Sequence, residues 1–215
     1  MDTRTKEAIR YLGYGKHAVD DKTFALVQDS FRELDQRADR RIIYRIFELH
    51  SKEDCLDIGK LHIKSQNLSK NMKGCQEAVV LGATLGVGVD QLMRRYSLTD
   101  MAKVVVLQAC AAAMLEEYLD ECQEKIRQEL LGEQKYLRPR FSPGYGDFSI
   151  GHQAMILKML DAAKTIGLTM TDGCMLTPVK SVTAVIGISN TKEPCHRKGC
   201  EMCQKRDCIY RRNEG

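Results

Sequence analysis

The sequence predicts an α+β fold, in which a mainly antiparallel sheet packs against helices that include one long central helix. Residues 99–131 contain neither proline nor glycine, and apolar side chains recur there every three or four residues, which is typical of a helix. Other segments alternate apolar and polar side chains, as strands do. Helical and strand-like segments follow one another without regular β-α-β alternation, and this order favours an antiparallel sheet.

The N-terminal part predicts two helices followed by two strands. Asp2 can cap a short helix that ends near Gly13, and Asp21 can start a second helix. Apolar residues of the second helix recur at helical spacing at Phe24, Val27, Phe31 and Leu34. The segment Arg41–His50 is dense in Ile, Tyr and Phe and predicts a strand, with which Cys55–Ile63 is expected to pair.

The middle of the chain predicts a strand at Cys75–Leu85, a helix at Val89–Tyr96 and then the long helix. Ser97, with Asp100 three residues later, resembles a capping box at the start of that helix. Three glycines beside the strand match neither the dinucleotide fingerprint nor the Walker motif. We therefore interpret Gly82, Gly86 and Gly88 as a turn that needs a permissive backbone.

After Gly132, the sequence predicts one more helix and one more strand. Ser149 is expected to cap a helix that runs to about Lys164, with Gly167 as its stop. Alternating apolar residues then predict the last strand, at Val182, Ala184, Ile186 and Ile188.

Composition predicts one substantial domain, residues 1–190, followed by a cysteine-rich basic tail, residues 191–215. The 215 residues include 43% hydrophobic and 29% charged side chains and carry a formal charge of +4, which is ordinary for a globular protein. The charges are interspersed and there is no Trp, which argues against a nucleic-acid partner. The longest apolar run, Val104–Leu115, is too short to cross a bilayer, so no membrane association is expected.

Nine cysteines without a signal peptide predict a cytoplasmic protein. In a reducing compartment, clustered thiols are more often metal ligands than disulfides.

The segment Arg140-Phe-Ser-Pro-Gly144-Tyr145 combines residues suited to holding a small zwitterion. The guanidinium of Arg140 offers a planar fork of donors to a carboxylate, and Pro-Gly imposes a tight turn beside the ring of Tyr145. The alternative is an arginine that pairs with a surface carboxylate and a tyrosine that packs under the turn.

This Arg-x-x-x-Gly-Tyr pattern, followed by Pro178-x-x-Ser181-Val182, resembles the reactivation domain of cobalamin-dependent methionine synthase, here in a free-standing, shortened form. The resemblance covers roughly residues 1–190. It implies that S-adenosylmethionine is bound by Arg140, Gly144 and Tyr145. It also implies that the methyl group is presented to a cobalamin that has just been reduced.

Three positions depart from the pattern of this family. Gly146 stands where the full-length synthases usually have Pro, Thr177 stands where a Trp is expected before Pro178, and Ile186 stands where a Tyr helps to hold the ligand. The acidic residue that the family supplies from an N-terminal Asp-Trp segment has no counterpart in this sequence. The corrinoid-binding signature Asp-x-His-x-x-Gly does not occur in the sequence. Cobalamin is therefore expected only through a partner, which is methionine synthase or another corrinoid protein.

The tail contains four closely spaced thiols, Cys195, Cys200, Cys203 and Cys208. Four soft ligands in a short segment suit either a tetrahedral zinc ion or an iron-sulfur cluster. The spacing does not decide between the two.

Two other functions remain open at this point. The chain can be a non-enzymatic module that docks on a corrinoid protein, or senses it, with a structural metal tail. It can also be a metal-binding regulator of nucleic acid, although the small net positive charge of the chain argues against this interpretation.

Overall fold

A computed structural model describes residues 1–14 and 18–192, and an antiparallel sheet forms its centre. The strands are β1 (Arg41–Lys52), β2 (Cys55–Ile58), β3 (Leu61–Lys64), β4 (Cys75–Thr84), β5 (Tyr136–Leu137), β6 (Thr169–Met170), β7 (Leu176–Thr177) and β8 (Ser181–Ser189). Six of them form one sheet in the order β3-β2-β1-β4-β8-β5, while β6 and β7 form a separate hairpin. Neighbouring strands of the large sheet are antiparallel, which confirms the predicted fold class.

Helices cover both faces of the large sheet. They are α1 (Thr3–Tyr11), α2 (Asp21–Arg37), α3 (Gln66–Asn71), α4 (Val87–Ser97), α5 (Met101–Leu131), α6 (Gln153–Leu160) and α7 (Ala162–Ile166). Helices α1, α2, α4 and α5 pack on one face, which we call the α5 face. Helices α6 and α7 pack on the other, the α6 face.

The alternation of side chains along the central strands builds two separate cores. In β4, Val79 and Leu81 point to the α5 face, whereas Ala78 and Val80 point to the α6 face. Because all four side chains are buried, a shift of register by one residue would exchange the two cores. The long helix is therefore buried against one face only, and its outer side remains available for charged residues.

Aspartates cap α1, α2 and α5 on the α5 face, whereas α4 begins after Gly86 without a side-chain cap. The side chain of Asp2 accepts a hydrogen bond from the Thr5 amide and caps α1 as predicted. Helix α2 begins at Asp21 as predicted, and Asp20 is its cap.

The predicted start of the long helix at Ser97 is wrong. Ser97 is the last residue of α4, and its hydroxyl donates to the carbonyl of Arg94. The side chain of Asp100 accepts from the Lys103 amide at 3.0 Å and caps α5. A carboxylate at this position provides both the acceptor and a favourable charge at the helix N-terminus.

The helix predicted from Ser149 to Lys164 is interrupted. A short 3-10 turn, Ile150–His152, precedes α6, and α6 and α7 are separated by Asp161 in the left-handed conformation, with φ 50°. An aspartate tolerates this conformation better than most residues do. Gly167, with φ 68°, ends α7 as predicted.

Lys103 connects α5 to α2 through ion pairs and to α4 through a cation–π contact. Its Nζ lies 2.6 Å from Oδ2 of Asp29, contacts Glu33, and sits 4.8 Å from the ring centroid of Tyr96. Burial opposes the charged amine, but hydrogen bonds to the two carboxylates outweigh this and raise the pKa of Lys103. The start of the long helix is thus fixed against its neighbours.

The glycines after β4 have structural roles. Gly86 has φ 80°, a conformation that favours glycine, and the backbone of Gly88 approaches the carbonyl oxygen of Arg37 too closely to admit a Cβ atom. The interpretation as a turn is confirmed for Gly86 but is wrong for the other two glycines. Gly82 lies within β4, where it pairs with Ile43 and Thr183, and Gly88 lies in the first turn of α4. Within residues 1–14 and 18–192, no helix is long and apolar enough to span a membrane.

Candidate functional site

The segment that contains Arg140 forms a turn beside β8. Phe141 makes two backbone hydrogen bonds of 2.9 Å with Val185, which attach the start of the turn to the sheet. Gly144, with φ 94°, donates its amide to the Phe148 carbonyl at 2.7 Å. The positive φ explains why the turn uses glycine at this position.

Asp147 anchors the far side of this turn to α3. Its carboxylate accepts hydrogen bonds from the Ser65 hydroxyl, from the Gln66 amide at 2.7 Å and from the Asn67 amide at 3.1 Å. The bond from Ser65 and those from Asn67 and Gln66 lower the pKa of Asp147 to about 2. The turn therefore has a fixed position relative to the helix beneath it.

Gly146 also has a structural reason for departing from the family pattern. Its φ is 55°, and a Cβ atom there would lie 2.8 Å from Nδ2 of Asn67. Proline, whose φ is fixed near −65°, cannot adopt this conformation. The backbone path after Tyr145 consequently differs from one that contains proline.

The guanidinium of Arg140 points to the α5 face and contacts the outer side of the long helix. Its Nη2 lies 3.0 Å from Oε2 of Glu116 and 2.6 Å from Oδ1 of Asp120, and its Nη1 donates to Oε1 of Gln123 at 2.9 Å. The Arg140 side chain is only 18% exposed. Arg140 thus pairs with carboxylates, as the alternative interpretation expected, and these carboxylates belong to its own chain.

A groove of about 400 Å³ runs between α1 and α5 beside this cluster. Its lining residues are Thr3, Arg4, Glu7, Ala113, Glu116, Glu117, Asp120 and Glu121. Glu116 and Asp120 therefore belong both to the groove and to the Arg140 cluster. Desolvation raises the pKa of Glu117, and the predominance of carboxylates suits a ligand that carries positive charge.

Gly144 and Tyr145 lie away from this groove. Tyr145 is 60% exposed, and its ring packs edge-on against that of Phe141, with ring centroids 6.3 Å apart. Phe141 belongs to the core on the α6 face. The structure therefore directs Arg140 and Tyr145 to different faces of the sheet, and their joint contact with a ligand remains a prediction.

Two further positions singled out by sequence have packing roles. Ile186 is completely buried in the core on the α5 face, so the side chain at this position is not available to a ligand. The ring of His152 lies 5.5 Å from that of Phe148, and burial lowers its pKa.

The four-cysteine tail lies outside the described residues, which end at residue 192. The prediction that Cys195, Cys200, Cys203 and Cys208 bind a metal is therefore untested by the fold. Within the described part of the chain, His, Cys, Asp and Glu side chains form no cluster that could hold a metal ion.

Comparison with known proteins identifies the family. The family model described as the vitamin B12 dependent methionine synthase activation domain matches residues 67–195, which include Arg140, Gly144 and Tyr145. The chain belongs to this family. No curated protein matches the sequence.

The fold of a solved activation domain agrees with this assignment. A crystal structure of the MetH reactivation domain bound to AdoHcy superimposes with a TM-score of 0.60, covering 88% of this chain and 77% of that one. Sequence identity is 16%, so the likeness establishes the shared fold alone.

Sequence reasoning missed the partners of Arg140 in this activation domain. Glu116, Asp120 and Gln123 follow one another at intervals of four and three residues and share one side of α5, a spacing that sequence does reveal. Their proximity to Arg140, 17 to 24 residues away, depends on how the turn packs against the helix.

Proposed function

We propose that this activation domain binds S-adenosylmethionine in the α1–α5 groove beside Arg140 and presents its methyl group to the cobalamin of a separate corrinoid protein of the methionine synthase class. The observation that carries this proposal is the cluster of one guanidinium and two carboxylates at the groove. The AdoHcy bound by a solved reactivation domain of the same fold supports the choice of ligand.

The cluster is suited to the amino-acid end of such a ligand. An amino acid carries a carboxylate and an ammonium group, and here Arg140 faces Glu116 and Asp120. A bound zwitterion can insert between them, with its carboxylate on Arg140 and its ammonium on the two acids. Each internal ion pair is then replaced by a pair with the ligand, so no charge is left uncompensated.

The charge of the whole groove fits the rest of the ligand. S-adenosylmethionine has a sulfonium in addition to its zwitterion and is therefore cationic overall. The groove contains Glu7, Glu117 and Glu121 beyond the two acids that face Arg140, against one basic residue, Arg4. These carboxylates favour a cation through the summed field of the site.

In this account the domain positions the methyl donor and the partner supplies the acceptor. The reduced cobalt of the partner's cobalamin takes the methyl group from the sulfonium, leaving methylcobalamin and S-adenosylhomocysteine. Arg140 orients the amino-acid end, and the Gly144–Tyr145 turn is proposed to position the remainder of the complex. Catalysis is shared between two proteins.

The runner-up function is a docking or sensing module that contacts a corrinoid protein without binding S-adenosylmethionine. The closed ion pairs of Arg140 favour it, because they satisfy the guanidinium without a ligand. The tail, with zinc or an iron-sulfur cluster on Cys195, Cys200, Cys203 and Cys208, would then order the interface. In the leading proposal, the same tail can also pass an electron to the partner's cobalamin. For both functions, we propose that the protein acts in the cytoplasm.

A methyl-transfer assay tests the proposal. The cobalamin-binding part of a methionine synthase is reduced with titanium(III) citrate and mixed with S-adenosylmethionine labelled in its methyl group. We expect label on the cobalamin only when this activation domain is present, and much less with Arg140→Ala. Transfer that is equally fast without the domain would contradict the proposal.

A further inference from the structure

A second groove, on the α6 face, lies where β1, the β2–β3 turn and α6 meet. It has a volume of about 460 Å³, which is within the range of small-molecule sites. Its lining residues are Arg45, Phe47, Gly59, Lys60, Met155, Lys158 and Met159. Because Arg140 points to the α5 face, this groove is separate from the site proposed above.

Three cations line this groove, and each comes from a different element. Arg45 belongs to β1, Lys60 to the β2–β3 turn and Lys158 to α6. The lining includes no carboxylate among residues 1–14 and 18–192, and none of the three cations forms an ion pair with another described residue. Many other basic residues of the described chain, such as Arg140 and Lys103, form ion pairs with carboxylates.

The floor of the groove is apolar and contains an aromatic ring. Phe47 and Met155 are partly buried and Met159 is buried. The β2–β3 turn lies directly on this floor, because a Cβ atom at Gly59 would come within 2.9 Å of the side chains of both Phe47 and Met159. This close approach brings Lys60 to the rim. Thioether sulfur and a phenyl ring both make favourable contacts with aromatic groups.

We propose that this groove binds a phosphate monoester that carries a planar aromatic ring, of the size of a nucleoside monophosphate. The ring lies on Phe47, Met155 and Met159, and the phosphate dianion accepts hydrogen bonds from Arg45, Lys60 and Lys158. Three donors from three elements match the three oxygens of a phosphate better than the two of a carboxylate. The proposal is independent of the function assigned to the Arg140 cluster.

Calorimetric titration of the full chain with uridine monophosphate at low ionic strength tests this site. Uridine and inorganic phosphate, the two halves of this nucleotide, are titrated separately as controls. We expect saturable binding of the nucleotide and at least about tenfold weaker binding of either half. The probe lacks adenine and a cationic sulfonium, so it does not resemble the ligand proposed for the other groove.

Substitutions then locate the binding. Lys60→Ala and Lys158→Ala should each weaken binding about tenfold, as expected for the loss of a charged hydrogen bond. Lys164→Ala is the matched control, because it removes a neighbouring exposed lysine that pairs with Asp161 and does not line the groove. It should bind the nucleotide as the unmodified chain does.

Three results would overturn the proposal. The first is the absence of saturable binding at millimolar nucleotide. The second is nucleotide binding that the Lys60→Ala, Lys158→Ala double variant leaves unchanged. The third is binding of a glutamate-rich peptide, but not of the nucleotide, in a manner that depends on the same lysines. That outcome would assign the groove to an acidic protein partner.

Discussion

Nη2 of Arg140 lies 2.6 Å from Oδ1 of Asp120, although 20 residues separate them in sequence. The contact links the turn that carries the family motif to the outer side of the long helix. It also means that Arg140 already has carboxylate partners, so a ligand carboxylate must compete with them. The energies of these pairs decide whether the site opens to a ligand.

Replacing Asp120 with Asn should weaken binding of S-adenosylmethionine by about tenfold. The Asp120 side chain is 69% exposed, so its pair with Arg140 contributes little, about 0–1 kcal/mol, and its removal helps the ligand only slightly. The loss of a charged partner for the ligand's ammonium costs more, about 1.5–3 kcal/mol. Titration calorimetry checks this, with Glu124→Gln, on an exposed part of the same helix, as the control.

Asp147 should make stability sensitive to acid. Its folded pKa of about 2 is below the usual aspartate value of about 3.9. A carboxyl whose pKa is lowered by folding stabilises the protein above its unfolded pKa, and this contribution is lost as the pH falls towards 2. Asp147→Asn should lower the thermal midpoint at pH 7 by a few degrees and reduce this acid sensitivity. A variant with an unchanged midpoint at pH 7 would show that the anchor is unimportant.

Lys103→Met should destabilise the protein by about 1–3 kcal/mol. The substitution leaves Asp29 and Glu33 without their shared cation, and the cost is below that of a fully buried pair because Asp29 remains half exposed. Urea unfolding measures the difference. Lys125→Met, at an exposed position of the same helix, should change the free energy of unfolding far less.

Gly88→Ala should also be destabilising, by about 1–3 kcal/mol. The new methyl group would overlap the carbonyl oxygen of Arg37 and separate α4 from α2. Gly132→Ala is the matched control, because the nearest atom to a Cβ there is 3.8 Å away and its φ is −62°. Equal stability of the two variants in urea would refute the close approach.

The cysteine tail should carry metal in a fixed ratio to protein. Elemental analysis and a visible spectrum of anaerobically purified protein distinguish colourless zinc from an iron-sulfur cluster. Cys200→Ser and Cys203→Ser should each reduce the metal content, whereas Cys55→Ser, at an exposed position outside the tail sequence, should not. Metal content that is insensitive to both tail substitutions would exclude the predicted ligand set.

Local signals in the sequence were sufficient for most of the fold. The long helix was predicted because no proline or glycine interrupts residues 99–131, and the central strands were predicted from apolar residues. Two helix boundaries were predicted wrongly, the start of α5 and the break between α6 and α7. Ser97 and Asp100 are both suitable N-cap residues, and only the packing of α4 determines which of them starts α5. Asp161 adopts a left-handed conformation that its sequence neighbours do not indicate.

The candidate site was only partly predictable. Arg140 was singled out by its motif, but its contacts with Glu116, Asp120 and Gln123 depend on tertiary packing between the turn and the helix. Tyr145, five residues later in the same motif, packs with Phe141 towards the opposite face of the sheet. Spacing in sequence therefore identified the turn but not the direction of its side chains.

The central claim is tested most directly by calorimetric titration of the full chain with S-adenosylmethionine, in parallel for Arg140→Ala and Arg127→Ala. Arg127 is the matched control, since it is half exposed on α5 and pairs with Glu124 away from the groove. Our account predicts saturable binding by the unmodified chain and by Arg127→Ala, and binding at least about tenfold weaker in Arg140→Ala. No binding at millimolar ligand, or equal binding by all three proteins, would contradict it.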